Sequence, residues 1–97
     1  MKPAAVRDLD RLGKFEAVML VDAMERHLMH EPRRESKSRI KKLIGLTNPD
    51  YRLRVGDYRV FYVVEEDELT VNVLRVMHKN QTIKYYEEVS DESSADG

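Results

Sequence analysis

Residues 51–62 read Tyr-Arg-Leu-Arg-Val-Gly-Asp-Tyr-Arg-Val-Phe-Tyr, and three of them, Arg52, Arg54 and Arg59, carry the chemistry that stands out in this chain. Strand alternation puts Arg52 and Arg54 on one face and Tyr51, Leu53 and Val55 on the other. One side can pack on a core while the other shows guanidinium groups with an aromatic rim. Guanidinium forks bind phosphate bidentately and keep their charge at physiological pH. That is chemistry for a polyanion, most simply RNA or DNA. Arginine on the wet face of an antiparallel strand is also ordinary solvated surface, so the rest of the chain must separate the two readings.

Further candidates follow the last apolar run: His78 and Lys79, then Tyr85 and Tyr86. Imidazole is the side chain that ordinarily changes charge near neutral pH, which suits proton transfer, although a structural histidine is the commoner case. The two tyrosines serve equally well as packing for the final segment. His27 and His30 lie three apart beside Glu31, a helical spacing that can hold a metal, but no third ligand is evident and no metal is expected. There is no phosphate-cradling glycine loop, no Ser-His-Asp arrangement and no paired-carboxylate signature, so no cofactor is expected. Glu65, Glu66, Asp67 and Glu68 read as a solvated turn.

These residues need elements to hold them. Pro3 suits a first helical turn, Leu9 and Leu12 follow at i, i+3, and Gly13 ends or bends that helix. A second helix runs from about Phe15 to His30. Ala17, Leu20, Val21, Met24 and Leu28 form its apolar stripe, and Pro32 stops it. The methionines at 19, 24 and 29 read as core rather than cofactor contact. Residues 33–42 make a basic polar connector, after which Ile40, Leu43, Ile44 and Leu46 anchor the chain to the core. Asn48-Pro49-Asp50 is a turn signal. Strands are expected at about 51–55, 58–65 and 69–77, joined at Gly56-Asp57 and around Glu66-Asp67. A short helix fits 80–88, and the chain from Ser90 onward has nothing to bury and reads as disordered. The order predicts an α+β fold with the helices on one face: a helical hairpin packed on a small antiparallel meander. Residues 1–88 form the domain and 89–97 an acidic tail.

Ninety-seven residues without cysteine make one small core with no disulfide or thiolate metal site. No apolar run approaches a membrane span, so no membrane partner is expected and the chain reads as cytoplasmic. Its net charge of −1 conceals a segregation. Residues 1–86 hold all 17 Lys and Arg against 13 Asp and Glu, a balance of +4, while 87–97 carry −5. A basic body fits an anionic partner.

Leu-Ile-Gly-Leu at 43–46, the run at 51–62, and Val-Met-His-Lys at 76–79 with Tyr85 beyond resemble the RelE branch of the RelE/ParE toxin superfamily. Ala-Val-Arg-Asp-Leu-Asp-Arg-Leu at 5–12 and the helix ending from Leu28 to Pro32 fit as well. The resemblance covers roughly residues 4–88. It implies a toxin of a type II toxin–antitoxin pair, neutralised by a cognate antitoxin, that cuts messenger RNA in the ribosomal decoding site. ParE-type members share the fold but poison DNA gyrase, and a degenerate member would only bind its antitoxin. The family usually opens with a strand before the first helix, and this sequence opens at the helix. It also often has Arg where Lys79 stands here, and lysines in some members where Arg52 and Arg54 stand.

For metal-independent RNA cleavage, Arg54 and Arg59 are the candidates for stabilising phosphorane charge, with Arg52 guiding the backbone. Lys79 fits the general acid if neighbouring positive charge eases its deprotonation, with His78 as the competing proton carrier or RNA contact. Tyr85 is placed by the resemblance to orient the 2′-hydroxyl or stack on a base. Tyr86 takes that place if the correspondence slips by one residue.

Overall fold

The structure is a computed structural model. It describes residues 1–29, 31–36, 39–46, 48–65 and 70–96, the last six of these by their backbone alone. His30, Glu66, Asp67, Glu68 and Leu69, on which expectations above fall, lie outside the described residues.

The elements are α1 (Pro3–Asp10), α2 (Lys14–Leu28), β1 (Ile40–Lys42), β2 (Tyr51–Val55), β3 (Tyr58–Val64), β4 (Val71–His78) and, after one 3-10 turn at Lys79–Gln81, α3 (Thr82–Asp96). The strands form one antiparallel sheet in the order β1-β2-β3-β4. The α+β fold and the hairpin-on-meander plan are as the sequence predicts. Among the described residues no strand precedes α1, and the Lys2 N–H instead donates to the Val73 carbonyl at 2.8 Å. Gly56, with φ 57°, takes the first central position of the two-residue β2–β3 turn, a left-handed conformation that costs glycine little.

Alternation divides the sheet as expected. Leu53, Val60, Tyr62, Val73 and Val76 pack on one face against Ala5, Leu20, Met24 and Leu28. The stripe on α2 is thus real, although Val21 is pushed to its exposed margin at 37 %. Asp8 fastens α1 to β4: its carboxylate accepts from Arg75 Nε at 2.7 Å and from the Val76 N–H at 2.8 Å. The register shifts between Phe61, opposite Arg75, and Tyr62, opposite Val73, which leaves Leu74 as the extra residue of a β-bulge next to Arg75.

Four expectations are corrected. Not all helices lie on one face: α3 covers the opposite side, where Tyr85 and Val89 bury against Phe61 and Met77. The cause is plain in β3 and β4, whose second face carries two large apolar side chains that need a cover. The basic connector ends in a strand, because Ile40, Lys41 and Lys42 pair with Leu53, Arg52 and Tyr51. Ile44 does not anchor the chain but is fully exposed, whereas Ile40 is buried and Leu43 and Leu46 pack under α3. Finally, the backbone remains helical past Ser90 to Asp96. Tyr85 and Val89, one turn apart, dock the first half of α3, and extending a formed helix costs far less than starting one.

Candidate nucleic-acid interface

Register brings the basic residues together. Arg54 stands opposite Arg59, and Lys41 opposite Arg52, which in turn faces Phe61. Directly opposed residues share a face, so the second face of the sheet carries Arg52, Arg54, Arg59 and Lys41 around an aromatic centre. Arg59 is held in place by its own turn, with Nη1 donating to the carbonyls of Gly56 and Tyr58, both at 2.9 Å. Its pKa is drawn below the ordinary guanidinium value first by burial, then by the charges of Arg52 and Arg54. Arg52 Nε is buried without a hydrogen-bond partner. These cations are crowded and under-compensated, which is the electrostatic condition an anion relieves.

The tyrosines are distinguished by depth. Tyr85 is buried, 4.8 Å from Phe61 between ring centroids and 5.7 Å from the Arg75 guanidinium. Tyr86 is half-buried, meets Phe61 edge-on at 5.6 Å, and lies close enough to Arg59 to influence its charge. Of the two, Tyr86 is therefore the one presented beside the arginines, and Tyr85 is packed beneath.

Lys79 arrives at the same end of the sheet. Its N–H donates to the Asp57 carbonyl at 2.7 Å and its Nζ lies 3.4 Å from the Asp57 carboxylate. Its nearest charged contact is thus an anion, not the cation that the acid role calls for. His78 is used structurally: Nδ1 accepts from the Asn80 N–H at 3.1 Å, Gln81 Oε1 accepts from the His78 N–H, and the ring packs edge-on against Tyr58. It caps the turn into α3 and stands apart from the arginine cluster. Arg75 and Phe61 were not singled out from sequence. The signal for Phe61 was its position two residues after Arg59, on the arginines' face. Among the described residues no group of three or more His, Cys, Asp or Glu could hold a metal ion, and no helix is long and apolar enough to cross a membrane.

The small α+β domain and its crowded arginine face agree with the RelE/ParE resemblance drawn from the sequence. Residues 1–83 match the family model described as the ParE toxin of the type II toxin–antitoxin system parDE, and the chain belongs to that family. It is similar in structure to the toxin–antitoxin complex RelBE2 from Mycobacterium tuberculosis, at 28 % identity and a TM-score of 0.62, covering 79 % of this chain and 90 % of that one. It is also similar to the RelB–RelE antitoxin–toxin complex from Methanococcus jannaschii, at 25 % identity and a TM-score of 0.60, covering 88 % and 95 %. No match to a curated protein was found. The chain is a toxin of the type II toxin–antitoxin class, within the RelE/ParE superfamily.

Proposed function

We propose that this toxin is a metal-independent endoribonuclease that cleaves messenger RNA in the ribosomal A site and so inhibits translation. The observation that carries the reading is the Arg52–Arg54–Arg59 cluster, held by register and flanked by Tyr86. Three guanidinium groups on one face can bind the scissile phosphate and neutralise the phosphorane that forms when the 2′-oxygen attacks. The 2′-hydroxyl gives up its proton to solvent water as its oxygen bonds to phosphorus, the P–O5′ bond breaks, and the departing 5′-oxygen takes up a proton. This leaves a 2′,3′-cyclic phosphate upstream, which water can then open to a 3′-phosphate, and a 5′-hydroxyl downstream. Arg54 and Arg59 stabilise the charge and Arg52 holds the backbone. Tyr86 takes the orienting or stacking place at the 2′-hydroxyl, with Tyr85 supporting it through Phe61. Lys79 protonates the leaving oxygen once RNA displaces its contact with Asp57. His78 assists RNA binding by holding the turn that carries Lys79.

The cognate antitoxin is the specific protein partner. Both similar structures are antitoxin complexes, and α2 with its capping residue Met29 offers Phe15, Val18 and Met29 at 78, 59 and 72 % exposure, an apolar margin suited to a docking helix. The antitoxin would cover this hairpin and much of the arginine face.

A second reading has its own support. The matching family model is that of the ParE toxin, and Lys79 rests on Asp57 while Tyr85 is buried. This favours a gyrase-binding protein that does no chemistry. The deciding experiment maps message ends after incubation with purified ribosomes, with and without chelator, beside a gyrase supercoiling assay. Fragments with 5′-hydroxyl ends that persist in chelator support the ribonuclease. Fragments with 5′-phosphates, or none alongside inhibited supercoiling, overturn it.

A further inference from the structure

A second basic site lies around the edge of the sheet. The end of α2 and the segment leading into β1 enclose a groove of about 340 Å³ lined by Arg26, His27, Glu31, Arg34, Arg39 and Ile40, with Ser36. Its carboxylates are already engaged: Glu31 with Arg34 at 2.8 Å, and the neighbouring Asp22 with Arg26 at 2.6 Å. That leaves the Arg39 guanidinium and the His27 imidazole, neither of which has a side-chain hydrogen bond or ion pair among the described residues. The His27 pKa is lowered by burial and then by the charges of Arg39 and Arg26, in keeping with Arg39 as the uncompensated charge beside it.

Arg39 joins this groove to the arginine face. Its carbonyl accepts from the Arg54 N–H at 2.8 Å, and Arg54 stands opposite Arg59. At about 4.8 Å between neighbouring strands, the path from Arg59 through Arg54 to Arg39 extends about 10 Å and then turns over the β1 edge. A single phosphate on the sheet would not reach the groove, whereas a strand of linked phosphates would.

We propose that the groove formed by Arg26, His27, Arg34 and Arg39 is a second phosphate-binding site, and that it holds single-stranded RNA backbone running over the β1 edge from the arginine face. It rests on the reading of the toxin as an RNA-binding protein, but not on cleavage. Arg39 is the principal contact, because it is the exposed guanidinium there that is not already paired. His27 lies in the wall and reports occupancy.

The test follows the His27 imidazole by NMR as a non-cleavable 2′-deoxy or 2′-methoxy decanucleotide is added, then a trinucleotide, inorganic phosphate, and poly-glutamate in separate arms. The decanucleotide should raise the His27 titration midpoint and the trinucleotide should leave it in place. Arg39→Ala should weaken decanucleotide binding about tenfold at low salt and reduce the slope of log affinity against log salt by about 0.7. Arg39→Lys should restore most of both, since the contact is to phosphate charge. Equal binding of the decanucleotide by wild type and Arg39→Ala overturns the proposal. So does a His27 response to inorganic phosphate or poly-glutamate without one to the decanucleotide, which would assign the groove to a free anion or to an acidic protein segment. If message cleavage fails but the His27 response to the decanucleotide remains, the ribonuclease reading falls and the groove stands.

Discussion

At the scale of single residues, Arg59 combines a structural and a chemical demand that Arg54 does not. Arg54 is exposed to solvent, while Arg59 is half-buried and tied to the carbonyls of Gly56 and Tyr58. Arg59→Ala should therefore cost about 1 kcal/mol of stability for its lost hydrogen bonds, and about 10²–10³ in cleavage rate for a lost charge-stabilising donor. Thermal melts and ribosome-dependent cleavage measure the two, and full activity in a folded variant would remove Arg59 from the mechanism. Asp50 supplies a residue-scale test of pH dependence. Desolvation raises its pKa above the usual carboxylate value, against smaller opposing effects from backbone hydrogen bonds, Arg33 and Lys42, and one carboxylate oxygen is buried without a partner. A group whose folded pKa is raised stabilises the fold fully below its unfolded pKa and loses that contribution as pH rises through the folded value. Asp50→Asn should thus be at least as stable as the native chain at neutral pH, with a flatter stability profile from about pH 4 upward. A neutral-pH Tm clearly below that of the native protein would sink this account.

At the scale of elements, the sheet has two cores that ought to fail separately. The core under α1 and α2 runs through Leu20, Leu53 and Tyr62, and the smaller one under α3 through Phe61, Met77, Tyr85 and Val89. Val89→Asp places a charge in the small core alone. It should release α3, seen as faster amide exchange in residues 85–90, while β2, β3 and β4 keep their protection. Loss of protection across the sheet would show that the two cores are one cooperative unit. Asp8→Ala strikes the other seam. It leaves the Arg75 guanidinium and the Val76 N–H without their carboxylate, at a cost of about 3 kcal/mol, readable as a shift in denaturant midpoint. These seams mark the limit of what the sequence made legible. Strands at about 51–55 and 58–65 announced themselves by alternation, and helix α2 by its stripe, because each signal is local. The Asp8–Arg75 pair joins residues 67 apart, and periodicity says nothing about that distance. Likewise β1 is three residues long and owes its pairing to β2 rather than to its own polar composition. The arginine face was legible because strand alternation alone aligns Arg52 with Arg54. Which tyrosine faces it was not, since that depends on how α3 lies on Phe61.

For the molecule as a whole, the segregated charge becomes spatial once α3 is placed. The body through residue 86 balances at +4 and residues 87–97 at −5, and α3, which holds all five of those acidic residues, is docked by Tyr85 and Val89 on the face that bears the arginines. An acidic helix held against a basic surface competes with any polyanion for it, and the competition is electrostatic, so its reach is set by the Debye length. Deleting residues 90–97 removes Asp91, Glu92 and Asp96 while keeping the docking pair Tyr85 and Val89, so the arginine face and its aromatic cover stay in place. The shortened toxin should bind single-stranded RNA more tightly than the full chain at about 10 mM salt, where the Debye length is about 30 Å. The two should converge near 1 M, where it is about 3 Å. The measurement is a pair of affinity titrations across salt, and the signature is a steeper salt dependence for the shortened form. A salt-independent gain would point to steric blocking by the helix instead of charge competition. Equal affinities at low salt would leave the acidic segment no part in RNA binding, and its role would then be one of solubility alone.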